Sequence, residues 1–275
     1  MSLFDAFGYE GRRALVVGGA TGMGAAVTDV LVDAGAEVVV MDRAAVERND
    51  VRFIEVNLAE KDSIEAAVDE CGGEVHALFS CAGVADGTPG IERINFIGHR
   101  HMIRRMVADE MMPAGSAIAM ISSAAGFGWE NNLERATEYL EIEDFDEATQ
   151  WAVDHEIADY FWSKITICAF VAREAMPMLK RGIRINATMP GPTVTPLAQA
   201  NADMWLTFGQ DYRDEVGIEA SAPLEQAYPL VFLASPAASG ITGLTVVCDS
   251  GYMAAGQSHA YQPATDTVGF FRTEF

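Results

Sequence analysis

The sequence has little of what would tie it to metals, membranes or nucleic acid. Its four cysteines, Cys71, Cys81, Cys168 and Cys248, show no CxxC spacing and have mostly apolar neighbours. They read as reduced core thiols rather than a disulfide frame. The five histidines show no ligand spacing either. His99 and His101, two positions apart, would point away from each other on a helix, and no metal is expected. No run of eighteen apolar residues exists, and the start, MSLFDAFGYEGRR, lacks a basic end followed by an apolar stretch. Neither a membrane span nor a signal peptide is expected, which places the protein in the cytoplasm. Positive charge is scarce: 18 Lys plus Arg against 40 Asp plus Glu, a formal net charge of -22. Such a surface repels phosphates and anionic headgroups, so neither nucleic acid nor membrane is an expected partner, and solubility alone accounts for it.

Half of the residues are apolar, enough for a sizeable core, and one α/β domain over residues 1–275 is the simplest organisation at this length. From Arg13 onward, short apolar runs alternate with longer helical patterns. ALVVG (14–18), EVVVM (37–41), VRFIEV (51–56), HALFSC (76–81), SAIAMI (116–121), IRINATM (183–189) and LTVVCD (244–249) predict seven strands. Their continuous apolar character predicts burial on both faces. Helical patterns lie between them, among others at 24–35, 60–71 and 94–112. With right-handed crossovers this repeat predicts a Rossmann-type doubly wound α/β fold, a seven-stranded parallel sheet flanked by helices.

Two segments break the alternation. Residues 130–159 hold eleven acids and one Arg, with Leu140, Phe145, Trp151 and Ile157 among them. This predicts a helical excursion on the surface, anchored by its apolar residues, rather than a disordered tract. The tail, about 256–275, carries Tyr261, Phe270, Phe271 and Phe275 with little periodicity, and would wrap its own core or a partner subunit.

VVGGATGMG follows the first strand and opens the first helix, with Gly18, Gly22 and Gly24 in GxxxGxG spacing. Glycines at such a turn let the backbone approach a pyrophosphate, whose charge meets the helix N-terminus; Thr21 and Met23 share that turn. Glycine for turn geometry alone is the plainer alternative, but the strand before and the amphipathic helix after favour a cofactor. Asp42 ends the second strand, eighteen residues beyond Gly24. A carboxylate there accepts hydrogen bonds from the adenosine ribose and repels a 2'-phosphate, which points to NAD rather than NADP, with Arg43 the neighbouring base that can swing toward a phosphate. In ADYFWSK, Tyr160 and Lys164 stand one helical turn apart on one side. Taken alone, that spacing fits an ordinary amphipathic helix with Phe161 and Trp162 inward equally well.

The glycine pattern, Asn95 in RINFIG, Ser123 in MISSAAG, Tyr160 and Lys164 in YxxxK, and PGPTVTP (190–196) occur in the order of a short-chain dehydrogenase/reductase. From residue 12 to about 250 the chain resembles that family. The resemblance implies Tyr160 as general acid/base, its phenol pushed down from the usual ~10 by the Lys164 ammonium. Lys164 would also hold the nicotinamide ribose, and Ser123 would orient the substrate oxygen. Ser122 competes for that role, but neighbours on a strand point to opposite faces and the family pattern selects the second serine. Asn95 would hold a water relaying protons from Lys164, or simply be a polar residue at a helix kink. Pro190 and Gly191 would line the cofactor, with Thr195 binding the carboxamide through its hydroxyl and Thr193 through its backbone.

The chain departs from the family in three places. SCAG (80–83) replaces the common NNAG, leaving the backbone of Cys81, Ala82 and Gly83 to line the adenosine ribose. Asn57 replaces the usual Asp and would meet the adenine amino group through its side-chain carbonyl, with Leu58 beside it. Ser123 and Tyr160 lie 37 residues apart (160 minus 123), about three times the common separation. This insertion, about 127–157, together with the CAG variant and the TEF ending, resembles the bacterial 3α-hydroxysteroid dehydrogenase/carbonyl reductases. An insertion there would cover a surface that often pairs subunits, altering a homodimer or homotetramer contact, and would form a substrate wall. The implied activity is NAD-dependent interconversion of a secondary alcohol and a ketone on a bulky apolar substrate such as a steroid, terpenoid or aryl carbonyl. Pro196, Leu197, Met204, Trp205, Leu206 and Phe208 would form a lid or an ordinary packed helix. A non-catalytic NAD-binding regulator or scaffold, or a non-redox epimerase or dehydratase, are the alternatives; the retained Tyr160 and Lys164 weigh against the first, the glycine spacing and length against the second.

Overall fold

A computed structural model describes residues 2–274. Seven parallel strands form one sheet in the order β3-β2-β1-β4-β5-β6-β7. They are β1 (Arg13–Val17), β2 (Glu37–Asp42), β3 (Arg52–Glu55), β4 (Ala77–Ser80), β5 (Ala117–Ile121), β6 (Arg184–Pro190) and β7 (Thr245–Cys248). The helices are α1 (Leu3–Phe7), α2 (Gly22–Asp33), α3 (Lys61–Cys71), α4 (Gly98–Ala108), α5 (Leu133–Glu141), α6 (Phe145–Asp154) and α7 (Tyr160–Leu179). Beyond β6 follow α8 (Pro196–Gln199), α9 (Ala202–Trp205), α10 (Gln210–Val216), α11 (Pro223–Ala234), α12 (Tyr252–Gln257) and α13 (Gln262–Phe271). The chain leaves β1 toward β2 on one side and β4 on the other. A crevice therefore opens at the carboxyl ends of β1 and β4, where the winding reverses.

Strand residues alternate between two cores, as a period of two requires. Leu15, Val17, Leu78, Ile118 and Met120 face one side, and Ala14, Val16, Phe79, Ala117 and Ala119 the other. All seven expected strands are present, but two-sided burial holds only for the interior ones. β3 exposes Arg52 and Glu55. β7 is at the far edge, with Val247 38% exposed, because no helix of the described residues fully covers it.

The helical pattern at 94–112 begins as a wider π turn, Arg93–Ile97, before α4. The insertion is helical, as its composition suggests, and more deeply rooted than a surface excursion. Leu140, Phe145 and Ile157 are buried in the same core as α4 and α7, and Trp151 stacks on Tyr139 at 5.4 Å. Tyr139 in turn meets Phe96 at 5.8 Å. The acids face outward, and Asp144 and Asp146 reach Lys61 and Arg93 at 4.0 and 3.7 Å. The tail packs on its own chain as α12 and α13, with Phe271 buried and Phe270 exposed; Phe275 lies outside the described residues.

Of the four glycines in the first turn, Gly24 has the least room. A Cβ there would lie 2.0 Å from the Gly18 carbonyl oxygen, so the start of α2 closes on the turn only without a side chain. Gly24→Ala is expected to lower Tm by roughly 5–10 °C through overpacking against backbone, measured by differential scanning fluorimetry.

Candidate active site

The crevice holds a cavity of about 230 Å³ lined by the glycine turn, Asp42, Asn57, Leu58 and residues 81–83. Gly18 adopts φ +87°, and a Cβ on it would strike the Ala82 amide nitrogen at 2.3 Å. Gly18 and Gly24 thus serve protein packing, turn against loop and helix against turn, while both also line the cavity. Gly22, at φ +57°, faces Thr195 across the cavity. Thr21 begins α2 without a side-chain cap, and no acid occupies the first turn. The amide groups opening this twelve-residue helix are left for an anion, which is what a dinucleotide pyrophosphate requires.

Asp42 accepts hydrogen bonds from the Ala20 amide at 3.0 Å and the Ala44 amide at 2.9 Å. It braces the glycine turn while lining the cavity beside the exposed Arg43. Asn57 lines the cavity with an amide oxygen that already accepts one hydrogen bond and keeps a second lone pair. Its amide oxygen accepts from the Ala59 amide at 3.2 Å and its nitrogen donates to Glu60 at 2.8 Å, so the side chain holds its own turn. The Cys81 and Ala82 amides both donate to the Val17 carbonyl, at 2.8 and 2.9 Å, and the Ala82 carbonyl accepts from His99 at 3.0 Å. These residues line the crevice, but those groups are engaged within the protein. Burial pushes the Cys81 thiol up to about 12.

At the inner end of the crevice stand Ser123, Tyr160 and Lys164. Asp159 caps α7, accepting from the Trp162 amide at 2.7 Å, and so makes Tyr160 the first helical residue. Lys164 follows one turn later, 4% exposed, its Nζ 5.2 Å from the Tyr160 ring centroid and donating to the Ile121 carbonyl at 3.2 Å. Ser123 lies just past β5, its hydroxyl near enough to the Tyr160 phenol to favour the ionised form. Ser122 points the other way, donating to the Lys164 carbonyl at 2.9 Å beneath α7. Asn95 sits on the π turn; its oxygen accepts from the Val84 amide at 2.8 Å, and its nitrogen donates to the Val84 carbonyl at 3.0 Å and the Ser163 hydroxyl at 3.3 Å. That side chain clamps the loop after β4, and its polar atoms are occupied in doing so.

The electrostatics of the pair reverse the expected sign. Burial pushes the Tyr160 phenol up to about 12; the Ser123 hydrogen bond lowers it, and the Asp86 carboxylate raises it. Burial likewise brings the Lys164 ammonium down to about 8. Desolvation disfavours both charged forms and is the leading cause of both shifts.

A second cavity, about 320 Å³, adjoins the first and shares Met23, Cys81, Gly83, Thr195 and Leu197 with it. Pro190, Gly191 and Thr193 line it below the end of β6. The Thr195 oxygen caps α8, accepting from the Ala198 amide at 3.1 Å and leaving its own hydrogen to donate. The Thr193–Ser221 bridge uses the Pro192 carbonyl and the Val194 amide, so Thr193's own amide takes no part in it. Of the lid candidates, Leu197, Met204, Trp205 and Phe208 line this space, with Trp205 tilted at 40° against the Tyr160 ring, 4.8 Å between centroids. Pro196 lines the first cavity, and Leu206 lines neither. Sequence reasoning missed Asp86, whose carboxylate accepts the Tyr160 amide at 2.6 Å, and Phe271, which reaches the cavity wall from the tail. The only signals were an acid in the loop VADGTPG and an aromatic in an otherwise unpatterned tail.

The chain is similar to several known oxidoreductases. A model of the NAD dependent epimerase/dehydratase family matches residues 14–164, and a model described as Enoyl-(Acyl carrier protein) reductase matches residues 145–253. Coniferyl-alcohol dehydrogenase of a Pseudomonas species is 24% identical over 87% of this chain and 96% of its own. The 3-alpha-hydroxysteroid dehydrogenase/carbonyl reductase of Comamonas testosteroni is 28% identical over 86% and 95%. The crystal structure of the 3-alpha-hydroxysteroid dehydrogenase of Pseudomonas sp. B-0831, complexed with NADH, superposes with a TM-score of 0.73 at 27% identity, covering 90% of this chain and 99% of that one. From the glycine turn to the end of the sheet, the chain belongs to the short-chain dehydrogenase/reductase family of oxidoreductases, in the broad sense that includes the epimerase/dehydratase model matching its first half.

Proposed function

We propose that the protein is an NAD-dependent dehydrogenase/reductase that interconverts a secondary alcohol and a ketone on a bulky, apolar, uncharged substrate. The observation carrying this reading is the Ser123–Tyr160–Lys164 cluster, which lines the larger cavity together with the Cys81 and Gly83 it shares with the first. Held between the uncapped start of α2 and the end of β6, the dinucleotide would supply the hydride acceptor or donor. Asp42, Asn57 and Leu58 would border its adenosine half; Pro190, Gly191, Thr193 and Thr195 would border its nicotinamide half. Ser123 orients the substrate oxygen and Tyr160 moves the proton to or from it. Lys164 adds positive charge behind the phenol, and the charge of an oxidised nicotinamide is the further contribution that would bring the phenol into the working range. Asn95 supports the site by fixing the Val84 loop.

The substrate class follows from the larger cavity. Phe161, Trp205, Phe208 and Phe271 give it aromatic walls on the side away from the residues that would border the nicotinamide, which suits an apolar ring system. Its charged lining residues are Lys164 and Asp86, so a substrate carboxylate would meet Asp86 without an arginine partner. The relatives' names, a coniferyl alcohol, a hydroxysteroid and (+)-borneol among them, support large neutral alcohols. The epimerase/dehydratase match covers the part that binds the dinucleotide and ends at Lys164, before the walls built after β6, so it does not favour non-redox chemistry.

Tyr160→Phe is expected to keep NADH affinity by fluorescence titration and to lose about 10²–10⁴-fold in turnover at 340 nm; wild-type rates would refute the acid/base role. Lys164→Met should abolish turnover and yet raise Tm at pH 7 by roughly 5 °C, since it removes a buried charge. The folded pKa of about 8 lies below the ordinary 10.5, so the destabilisation is full below pH 8 and disappears as pH rises past the unfolded value. The Tm gain should therefore shrink at pH 10, and a gain independent of pH would contradict the assignment. Asp42→Ala should shift the kcat/KM ratio toward NADP, and an unchanged ratio would place the ribose elsewhere.

A further inference from the structure

The first turns of the insertion and the last turn of the tail are built into one another. Gly128, buried at φ +76°, lies where a Cβ would stand 2.0 Å from the Phe271 carbonyl oxygen. The Asn131 side chain donates to the Arg272 carbonyl at 2.7 Å, and Asn132 to the Thr273 carbonyl at 3.5 Å. These contacts join segments 141 residues apart in sequence. Between them they fix Phe271, 8% exposed, whose ring stacks on Phe161 at 5.7 Å with 7° between planes and meets Phe208 edge-on at 6.3 Å. Phe161 directly follows Tyr160, so the stack links the tail to the catalytic helix and ends in the wall of the larger cavity.

We propose that Phe271 determines substrate size in the larger cavity, and that the insertion acts on specificity as a positioning element by clamping the tail through Gly128, Asn131 and Asn132. This rests on the larger cavity being the substrate site. A flat two-ring ketone gains from lying against the Phe161–Phe271 stack, whereas a single saturated ring fills the space near Tyr160 without reaching it. The insertion would then allow a terminal segment, ordinarily the least ordered part of a domain, to serve as a fixed wall.

The test uses the full-length chain saturated with NAD, which carries no hydride to reduce a ketone, and two probes, 2-acetylnaphthalene and cyclohexanone, with Kd from calorimetry so that turnover neither is needed nor intervenes. Phe271→Ala should raise the ratio of the naphthyl Kd to the cyclohexanone Kd about tenfold. Asn131→Ala, with Phe271 intact, should move the ratio the same way and speed hydrogen exchange in residues 262–272, leaving exchange in the β-sheet as it was. Asn131→Gln, which can still donate, should recover part of the effect. Gly128→Ala should do the same as Asn131→Ala if it folds. A ratio unmoved by Phe271→Ala would overturn the specificity role. A ratio moved by Phe271→Ala but not by Asn131→Ala would overturn the clamp. Failure of the wild type to bind either probe overturns the inference, whereas binding without turnover of either overturns the proposed function and leaves the Kd ratios to decide this one.

Discussion

The arrangement of the site depends on one buried cation. Lys164 is held under Tyr160 by the Ile121 carbonyl, at the bottom of a crevice that the reversal in strand order between β1 and β4 opens. A buried ammonium is costly, and the surrounding elements are placed to tolerate it. β5 contributes a carbonyl at its end, Ser122 grips the helix backbone at the same turn, and Asn95 holds the neighbouring loop so that Gly83 passes close to the amine. The protein alone leaves both members of the pair biased toward neutrality, with the phenol too high and the amine too low. Such a pair suits a general acid/base whose ionisation waits for a positive charge brought by a ligand.

The sheet was legible because its signal is local. Interior strands of a parallel sheet are apolar throughout, and seven such runs separated by helical patterns leave few other topologies. The Tyr160–Lys164 pair was legible for a similar reason, since helical spacing alone brings the residues together. What failed to show in sequence depends on contacts across the chain. That Gly18 is required by Ala82, and Gly24 by Gly18, appears only once the loop after β4 lies beside the first turn. Asp86 and Phe271 join the cavity from a loop and a tail that no periodicity connects to α7. Spacing revealed the charge beside Tyr160 but not the desolvation that raises its phenol in the protein alone.

The insertion shows the same division between pattern and packing. Its acids announced a solvent-facing surface and its aromatics an anchored one, and both are found. The depth of the anchoring, with Tyr139 between Phe96 and Trp151, was not apparent, because those partners lie on different elements. α5 and α6 have become part of the core on that side of the sheet rather than an appendage to it.

The cysteine that stands in the loop after β4 carries a consequence for handling and for redox exposure. With its thiol held to about 12, Cys81 stays protonated across the neutral and mildly alkaline range, and the thiolate is the form that attacks alkylating agents and peroxides. Sulfur in the wall of the dinucleotide crevice therefore behaves as a small apolar group. Oxidising surroundings would leave this wall chemically silent, much as an alanine would.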